Sequence, residues 1–155
     1  MANRVRSEIG IDVSASSRVV FDLVRDVAHW PDLLPHYRKV TVQSHDGDKV
    51  RARMEAVRPG RVPIPVGWTS EQWSDDSDPA DLQLRFMHVT GPTRGMDVTW
   101  HIRPASDGSR VTIIHDFVRP LPLLSDDAFA RVVDRLFVRP IAGRTLATFK
   151  RLAEQ

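Results

Sequence analysis

Several polar side chains in this chain stand inside apolar, alternating segments, and these could do chemistry. His115 follows Val111 and Ile113 at a spacing of two residues, and His88 follows Phe86 in the same way. A neutral imidazole accepts a proton and an imidazolium returns it near neutral pH. Each histidine is therefore a candidate acid–base group, or else a core histidine whose nitrogens are satisfied by a neighbouring hydroxyl or carbonyl.

Tyr37, Ser70 and Gln72 are the further polar candidates. A tyrosine hydroxyl can donate a hydrogen bond or a proton, and Tyr37 either does so or closes one end of the core. Ser70 and Gln72 alternate with Trp68, so they face a ligand if that strand points them inward. Ser70 stands in no Gly-x-Ser-x-Gly sequence, which excludes it as a hydrolase nucleophile of that type.

The expected surroundings of these groups are aromatic and apolar. Trp68 and Trp100 are the tryptophans that we expect against a ligand, with Phe86 and Met96 beside them. We count His88 with this binding set. Such a lining, interrupted by a few polar groups, is the usual composition of a small-molecule pocket.

The candidates fall on a predicted meander of strands that begins at Tyr37. Asp46-Gly47, Pro59-Gly60, Gly91-Pro92 and Asp107-Gly108 supply turns between segments of period two. Successive hairpins predict an antiparallel, strongly bent sheet. The faces expected to point at a common core are Val50, Ala52, Met54 and Ala56; Ile64, Val66, Trp68, Ser70 and Gln72; Leu82, Leu84, Phe86 and His88; Met96, Val98, Trp100 and Ile102; and Val111, Ile113, His115 and Phe117.

Helices are predicted on both sides of this meander. A first strand around residues 9–13 precedes a short helix that Ser14, Ser16 or Ser17 caps, and Trp30-Pro31 limits that helix. The segment 31–35 is expected to add one further helical turn.

Leu124 to Glu154 is predicted to form one long amphipathic helix, capped by Ser125. Pro140 lies between two apolar stripes whose phases differ by about one residue, and this predicts a kink between two differently aimed faces. The first stripe is Phe129, Val133 and Leu136, and the second is Ala142, Leu146, Phe149 and Ala153.

These elements predict one α+β domain over residues 1–155. A curved antiparallel sheet wraps around the long C-terminal helix, and two short helices follow the first strand. Where the helix kinks and the sheet splays, an internal apolar cavity is expected.

Composition excludes several classes of function. The chain is 41% hydrophobic and 27% charged, as in ordinary globular proteins, and its net charge of +2 is too small to favour nucleic-acid binding. There is no cysteine, so no disulfide framework or thiolate site is possible. No nucleotide-binding glycine motif, metal-ligand spacing, signal peptide or membrane-spanning run is found, so we expect no cofactor, no metal and a cytoplasmic location.

The order and spacing of several motifs resemble the START-like, helix-grip (SRPBCC) superfamily, and within it the aromatic polyketide cyclase/aromatase group. The resemblance covers nearly the whole chain. The residues that carry it are Val20 to Val24, Asp26 to Pro31, Leu34 to Tyr37, Trp68 to Ser70, Gly95-Met96 with Trp100, His115 to Phe117, and Ile141 to Glu154.

This resemblance implies an internal pocket that folds a linear poly-β-ketone, presented by an acyl carrier protein, for aldol cyclisation and dehydration without a cofactor. It implies that Tyr37 donates a proton, that His115 is the acid–base group, and that Ser70 and Gln72 orient carbonyls. The related cyclases often carry an arginine at the position of Gln72, so a charge-assisted role there is not expected.

A non-catalytic carrier of a hydrophobic ligand, such as a lipid or quinone, is the alternative function. Four arginines on the last predicted helix form either a solvated face or a docking surface for an acidic carrier protein. These are Arg135, Arg139, Arg144 and Arg151. A monomer or a homodimer is expected.

Overall fold

The computed structural model describes residues 4–118 and 126–155. Short helices follow the first strand, six further strands come next, and a long helical segment ends the chain. The elements are β1 (Arg4–Val13), α1 (Ser17–Val24), a 3-10 turn (Val27–His29), α2 (Trp30–Leu33), β2 (Tyr37–Asp46), β3 (Lys49–Arg58), β4 (Ile64–Asp75), β5 (Leu82–Thr90), β6 (Asp97–Ala105), β7 (Gly108–Val118), α3 (Asp126–Val133), a π-helical turn (Asp134–Val138) and α4 (Arg139–Ala153).

The strands form one antiparallel sheet in the order β1-β7-β6-β5-β4-β3-β2. Each strand from β2 to β7 therefore pairs with its neighbour in sequence, as the turn residues predict, and β1 closes the far edge against β7. The inward faces predicted from period two are confirmed, since nearly all of their apolar members are buried or half-buried. Ile64 is the exception, because it stands at the exposed start of β4.

The short helices begin and end where side chains satisfy backbone groups. Of the three candidate serines, Ser16 is the cap of α1, and its Oγ accepts a hydrogen bond from the backbone N–H of Val19 at 3.3 Å. The buried indole of Trp30 donates to the carbonyl oxygen of Val24 at 2.9 Å, at the end of α1. This bond fixes Trp30 in the core, where it packs against Phe149 of α4.

The last helix contains a π-helical turn at the predicted break. A π-turn adds one residue to a helical turn, which explains why the two apolar stripes differ in phase by about one residue. The prediction that Leu136 faces the core is wrong: its side chain is 42% exposed, whereas Val138 is buried. The predicted start at Leu124 and Ser125, and the Phe129 side chain, lie outside the described residues. Ala142, Leu146 and Phe149 of the second stripe are buried as predicted.

Pro140 explains part of this break. Because proline has no N–H, it cannot donate the α-helical hydrogen bond to the carbonyl oxygen of Leu136, four residues earlier. That oxygen instead accepts a hydrogen bond from Nε of Arg58, at the end of β3. The sheet therefore supplies the donor that the helix lacks.

The sheet, α1 and α4 share one buried core. Val20, Phe21 and Val24 enter it from α1, and Leu146 and Phe149 enter it from α4. Among the described helices, none combines the length and the apolar character needed to cross a membrane.

Gly108→Ala is expected to destabilise the fold much more than Gly47→Ala. Both glycines have a positive φ, +145° and +56°, which costs an alanine about 1–2 kcal/mol. A Cβ at Gly108 would also lie 2.1 Å from the carbonyl oxygen of Val13, whereas nothing lies within 4 Å at Gly47. We expect a loss of about 3 kcal/mol or more for Gly108→Ala, measured by urea unfolding. Equal losses for the two variants would contradict the close approach at Gly108.

Candidate functional site

A cavity of about 90 Å³ lies between the inner face of the sheet and the last helix. Apolar and aromatic side chains make up most of its wall, and the polar lining residues are Tyr37, His88, Thr93, His115 and Thr145. The full lining is Trp30, Tyr37, Met54, Val66, Trp68, Phe86, His88, Thr93, Met96, Val98, Trp100, Ile113, His115, Phe137, Val138, Ile141, Ala142 and Thr145. This composition is that of a site for a largely apolar small molecule.

The structure brings most of the predicted site residues together around this cavity. They are Tyr37, Trp68, Phe86, His88, Met96, Trp100 and His115. Ser70 and Gln72 are buried on the predicted face of β4, but neither lines the cavity. Ser70 donates to Sδ of Met54 at 3.5 Å, and Gln72 donates to the carbonyl oxygen of Arg25 at 3.3 Å. Both therefore make structural contacts in this conformation.

Trp30 is the centre of the aromatic wall. Its ring centroid lies 5.2 Å from Tyr37, 5.7 Å from Phe86 and 5.8 Å from Trp100. These distances and the tilted or edge-on angles are typical of favourable aromatic pairs. Since each ring is held by its neighbours, this part of the cavity wall is well ordered.

His88 is held by two contacts on the cavity wall. Its ring stacks on Trp68 at 5.5 Å with 8° between the planes, and its Nδ1 lies 2.6 Å from Oγ1 of Thr93. Thr93 belongs to the loop 91–95, whose ends are tied by the bonds His88 N–H to Met96 O and Gly95 N–H to His88 O. Burial, and secondarily the charge of His115, lowers the pKa of His88 to about 3, so this imidazole is neutral at pH 7.

His115 also lines the cavity. Its Nδ1 is buried and has no hydrogen-bond partner within residues 4–118 and 126–155. Burial lowers the pKa of His115 to about 4; the negative charges of Asp134 and Asp116 act to raise it and that of Arg139 to lower it. The ring is therefore neutral at pH 7 and able to accept a proton.

Tyr37 lines the cavity next to Thr145. Thr145 donates its hydroxyl proton to the carbonyl oxygen of Ile141 at 2.8 Å, so its oxygen accepts from Nε2 of His36, also at 2.8 Å. Burial raises the pKa of Tyr37, with the Thr145 hydroxyl acting in the opposite direction, and the phenol stays protonated. Tyr37 is thus available as a donor.

Sequence reasoning missed Thr145, Thr93 and Phe137. Thr145 could have been found, because it lies three residues after Ala142 on the buried helical face. Thr93 stands in a turn whose conformation the Gly91-Pro92 pair does not specify. Phe137 precedes the lining residue Ile141 by four residues, the spacing of one helical face, but the predicted stripe ran from Val133 to Leu136 instead.

Two residues that line the cavity each have a buried nitrogen without a partner in the described part of the chain: Nδ1 of His115 and Nε1 of Trp68. An unsatisfied buried polar group costs about 1–3 kcal/mol, so a ligand oxygen that bonded the indole N–H would relieve that cost. No three histidine, aspartate or glutamate side chains of residues 4–118 and 126–155 are grouped as metal ligands.

Comparisons with known proteins place this geometry in context. A family model described as polyketide cyclase/dehydrase and lipid transport matches residues 13–139. A protein from Streptomyces halstedii, named as a candidate polyketide cyclase, is 34% identical over 111 residues, covering 70% of this chain and 94% of the relative.

Solved structures share the fold over almost the full length. The Zhui aromatase/cyclase from Streptomyces sp. R1128 superposes with a TM-score of 0.76 at 20% identity, covering 98% of this chain and 94% of that one. A START superfamily protein from Mycobacterium smegmatis superposes with a TM-score of 0.67 at 14% identity, covering 96% and 98%. At these identities the likeness shows the helix-grip fold alone.

Proposed function

Since this chain belongs to the polyketide cyclase/dehydrase and lipid transport family, we propose that its cavity binds a poly-β-ketone or aromatic intermediate and promotes aldol cyclisation and dehydration. The candidate polyketide cyclase at 34% identity supports this assignment. The observation that carries it is an aromatic cavity lined by a protonated phenol and by a neutral His115 whose Nδ1 has no hydrogen-bond partner among the described residues.

In this proposal His115 is the acid–base group. It takes a proton from a carbon between two carbonyls, and the electron pair left on that carbon attacks a second carbonyl of the same chain. The nearby negative charge of Asp134 stabilises the imidazolium that forms. His115 then returns the proton to the new alkoxide, and loss of water completes the aromatic ring. These steps need only proton transfer, so the proposed reaction requires no cofactor.

Tyr37 and Trp68 are the proposed donors to carbonyl oxygens. A donor aimed where negative charge develops lowers the barrier most when water is excluded, as it is beside these buried rings. The enolate and alkoxide oxygens carry that charge during ring closure. Ser70 and Gln72 are assigned no part in these steps, because neither side chain lines the cavity and each is engaged in a hydrogen bond to Met54 or Arg25.

An acyl carrier protein is the proposed source of the substrate. Its expected acidic surface is complementary to the exposed arginines of the last helix, Arg135, Arg139, Arg144 and Arg151. The proposed oligomeric state is a monomer or a homodimer.

Carriage of a hydrophobic ligand without catalysis is the second candidate. The family description includes lipid transport, and the cavity lining is mostly apolar. A carrier retains its ligand through purification, whereas an enzyme that turns over releases its product. Solvent extraction of the purified protein followed by mass spectrometry separates these functions: a stoichiometric apolar molecule supports carriage.

Reconstitution with a minimal polyketide synthase tests ring closure directly. Aromatic products are compared by mass and chromatography with and without the protein. A shift from a mixture of spontaneous products to one defined ring pattern is the expected result. An unchanged product mixture across several chain lengths, with folded protein present, would contradict the proposed cyclase activity.

A further inference from the structure

The cavity is small for the ligand proposed for it. Its volume of about 90 Å³ is well below the roughly 300–1,000 Å³ of pockets that hold drug-sized molecules. A multi-ring ligand therefore requires part of the wall to move. The rings around Trp30 are buried and packed on each other, so they are poor candidates for that movement.

Phe137 is the lining residue best placed to move. It is only partly buried, so it stands between the cavity and the solvent. It also belongs to the π-turn, where the helical hydrogen-bond pattern is irregular and one residue exceeds the α-helical count. A return of this turn to α-helical spacing would change the backbone geometry beside Phe137 and so shift its side chain relative to the cavity.

One hydrogen bond from outside the helix fixes this turn. Nε of Arg58 donates to the carbonyl oxygen of Leu136. Pro140 cannot donate to this oxygen because it has no backbone N–H. Leu136 directly precedes Phe137, and its own side chain points to solvent. The bond between β3 and the turn therefore fixes the backbone beside Phe137 without filling the cavity.

We propose that Phe137 determines the size of ligand that the cavity accepts, and that the bond from Arg58 to the Leu136 carbonyl holds Phe137 in place. The proposal deepens the proposed function by naming a specificity-determining residue. It relies on that function only for the aromatic class of the ligand.

Phe137→Ala and Leu136→Ala are the matched test, because both shorten an apolar side chain of the same turn and only one lines the cavity. The probes are 4-methylphenol, with one ring, and 1-hydroxypyrene, with four fused rings. Binding is followed by quenching of tryptophan fluorescence, since Trp30, Trp68 and Trp100 line the cavity. Phe137→Ala should bind 1-hydroxypyrene about tenfold or more tightly than wild type, with 4-methylphenol changed by less than about threefold. Leu136→Ala should match wild type for both probes.

Phe137→Leu keeps the test valid if the alanine variant folds poorly, and its affinity for 1-hydroxypyrene should be intermediate. Equal affinities in Phe137→Ala and Leu136→Ala would overturn the proposal, as would no binding of either probe by any folded variant.

Arg58→Gln tests the bond that holds the turn. It should raise the association rate of 1-hydroxypyrene several-fold in stopped-flow mixing, whereas Arg61→Gln, in the adjacent exposed loop, should leave it unchanged. Equal rates for the two variants would overturn the role of Arg58. These binding assays do not depend on catalysis. A failure of size selection would therefore appear in them, whereas a failure of ring closure would appear only in the reconstitution with a polyketide synthase.

Discussion

Replacing His115 with glutamine is expected to lower the rate of enzyme-dependent ring closure by about a hundredfold to ten-thousandfold, the usual contribution of a general acid–base group. Glutamine keeps a polar group of similar size at the cavity but neither takes up nor returns a proton. The measurement is the initial rate of the defined cyclised product in the reconstituted system, with folding checked by circular dichroism.

His101→Gln is the matched control. His101 lies on the outer face of β6, where its Nδ1 bonds Asp81 at 2.9 Å, and it does not line the cavity. Its replacement should leave the rate unchanged. Equal activity in His115→Gln and wild type would show that chain folding alone, without acid–base help, accounts for the reaction.

Lowering the pH from 7 to 5 is expected to lower the free energy of unfolding by several kcal/mol. An unfolded histidine has a pKa near 6.5, whereas burial lowers the pKa of His36 to about 4, of His88 to about 3 and of His115 to about 4. The unfolded chain therefore binds more protons than the folded chain between these values. Stability is full above pH 6.5 and falls as the pH drops toward 4.

The lowered pKa of each histidine removes on the order of 2 kcal/mol of the free energy of unfolding at pH 5, out of roughly 5–15 kcal/mol for an ordinary domain. Urea unfolding at pH 7, 6 and 5 measures the slope. Single glutamine variants at these positions should flatten it by about one third each, whereas replacement of the exposed His45 should not. A stability that is constant from pH 7 to 5 would contradict the three lowered pKa values.

Strand periodicity made most of the cavity predictable. In β5, β6 and β7 every second residue faces the core, so Phe86, Trp100 and His115 could be assigned to one interior from sequence alone. The same rule does not say how far along a strand the cavity extends. Gln72 shares the inward face of Trp68 but lies near the end of α1, where it bonds Arg25. The sequence predicted which face of the sheet each residue lies on, but it did not predict which residues along a strand reach the cavity.

In the last helix, the position of the irregularity was predictable, but the side chains that it turns inward were not. The phase difference between its apolar stripes was visible in the sequence, and Pro140 marked its position. A proline kink and an inserted residue both account for such a difference, yet they point different side chains inward. The structure has the inserted residue, which places Phe137 at the cavity and leaves Leu136 in solvent. The carbonyl oxygen of Leu136 in this turn bonds Arg58, a donor far away in sequence that helical periodicity does not reveal.

The order of strands in the sheet has a consequence for synthesis of the chain on the ribosome. β1 is made first, yet its only partner strand in the sheet of the described residues is β7, with Arg4 opposite Val118. Until β7 emerges, β1 has no neighbour, while β2 to β6 can already pair hairpin by hairpin. An unpaired strand edge is a template for association with other chains. The nascent protein is therefore most exposed to chaperones, and to aggregation, in the interval before its first strand closes the sheet.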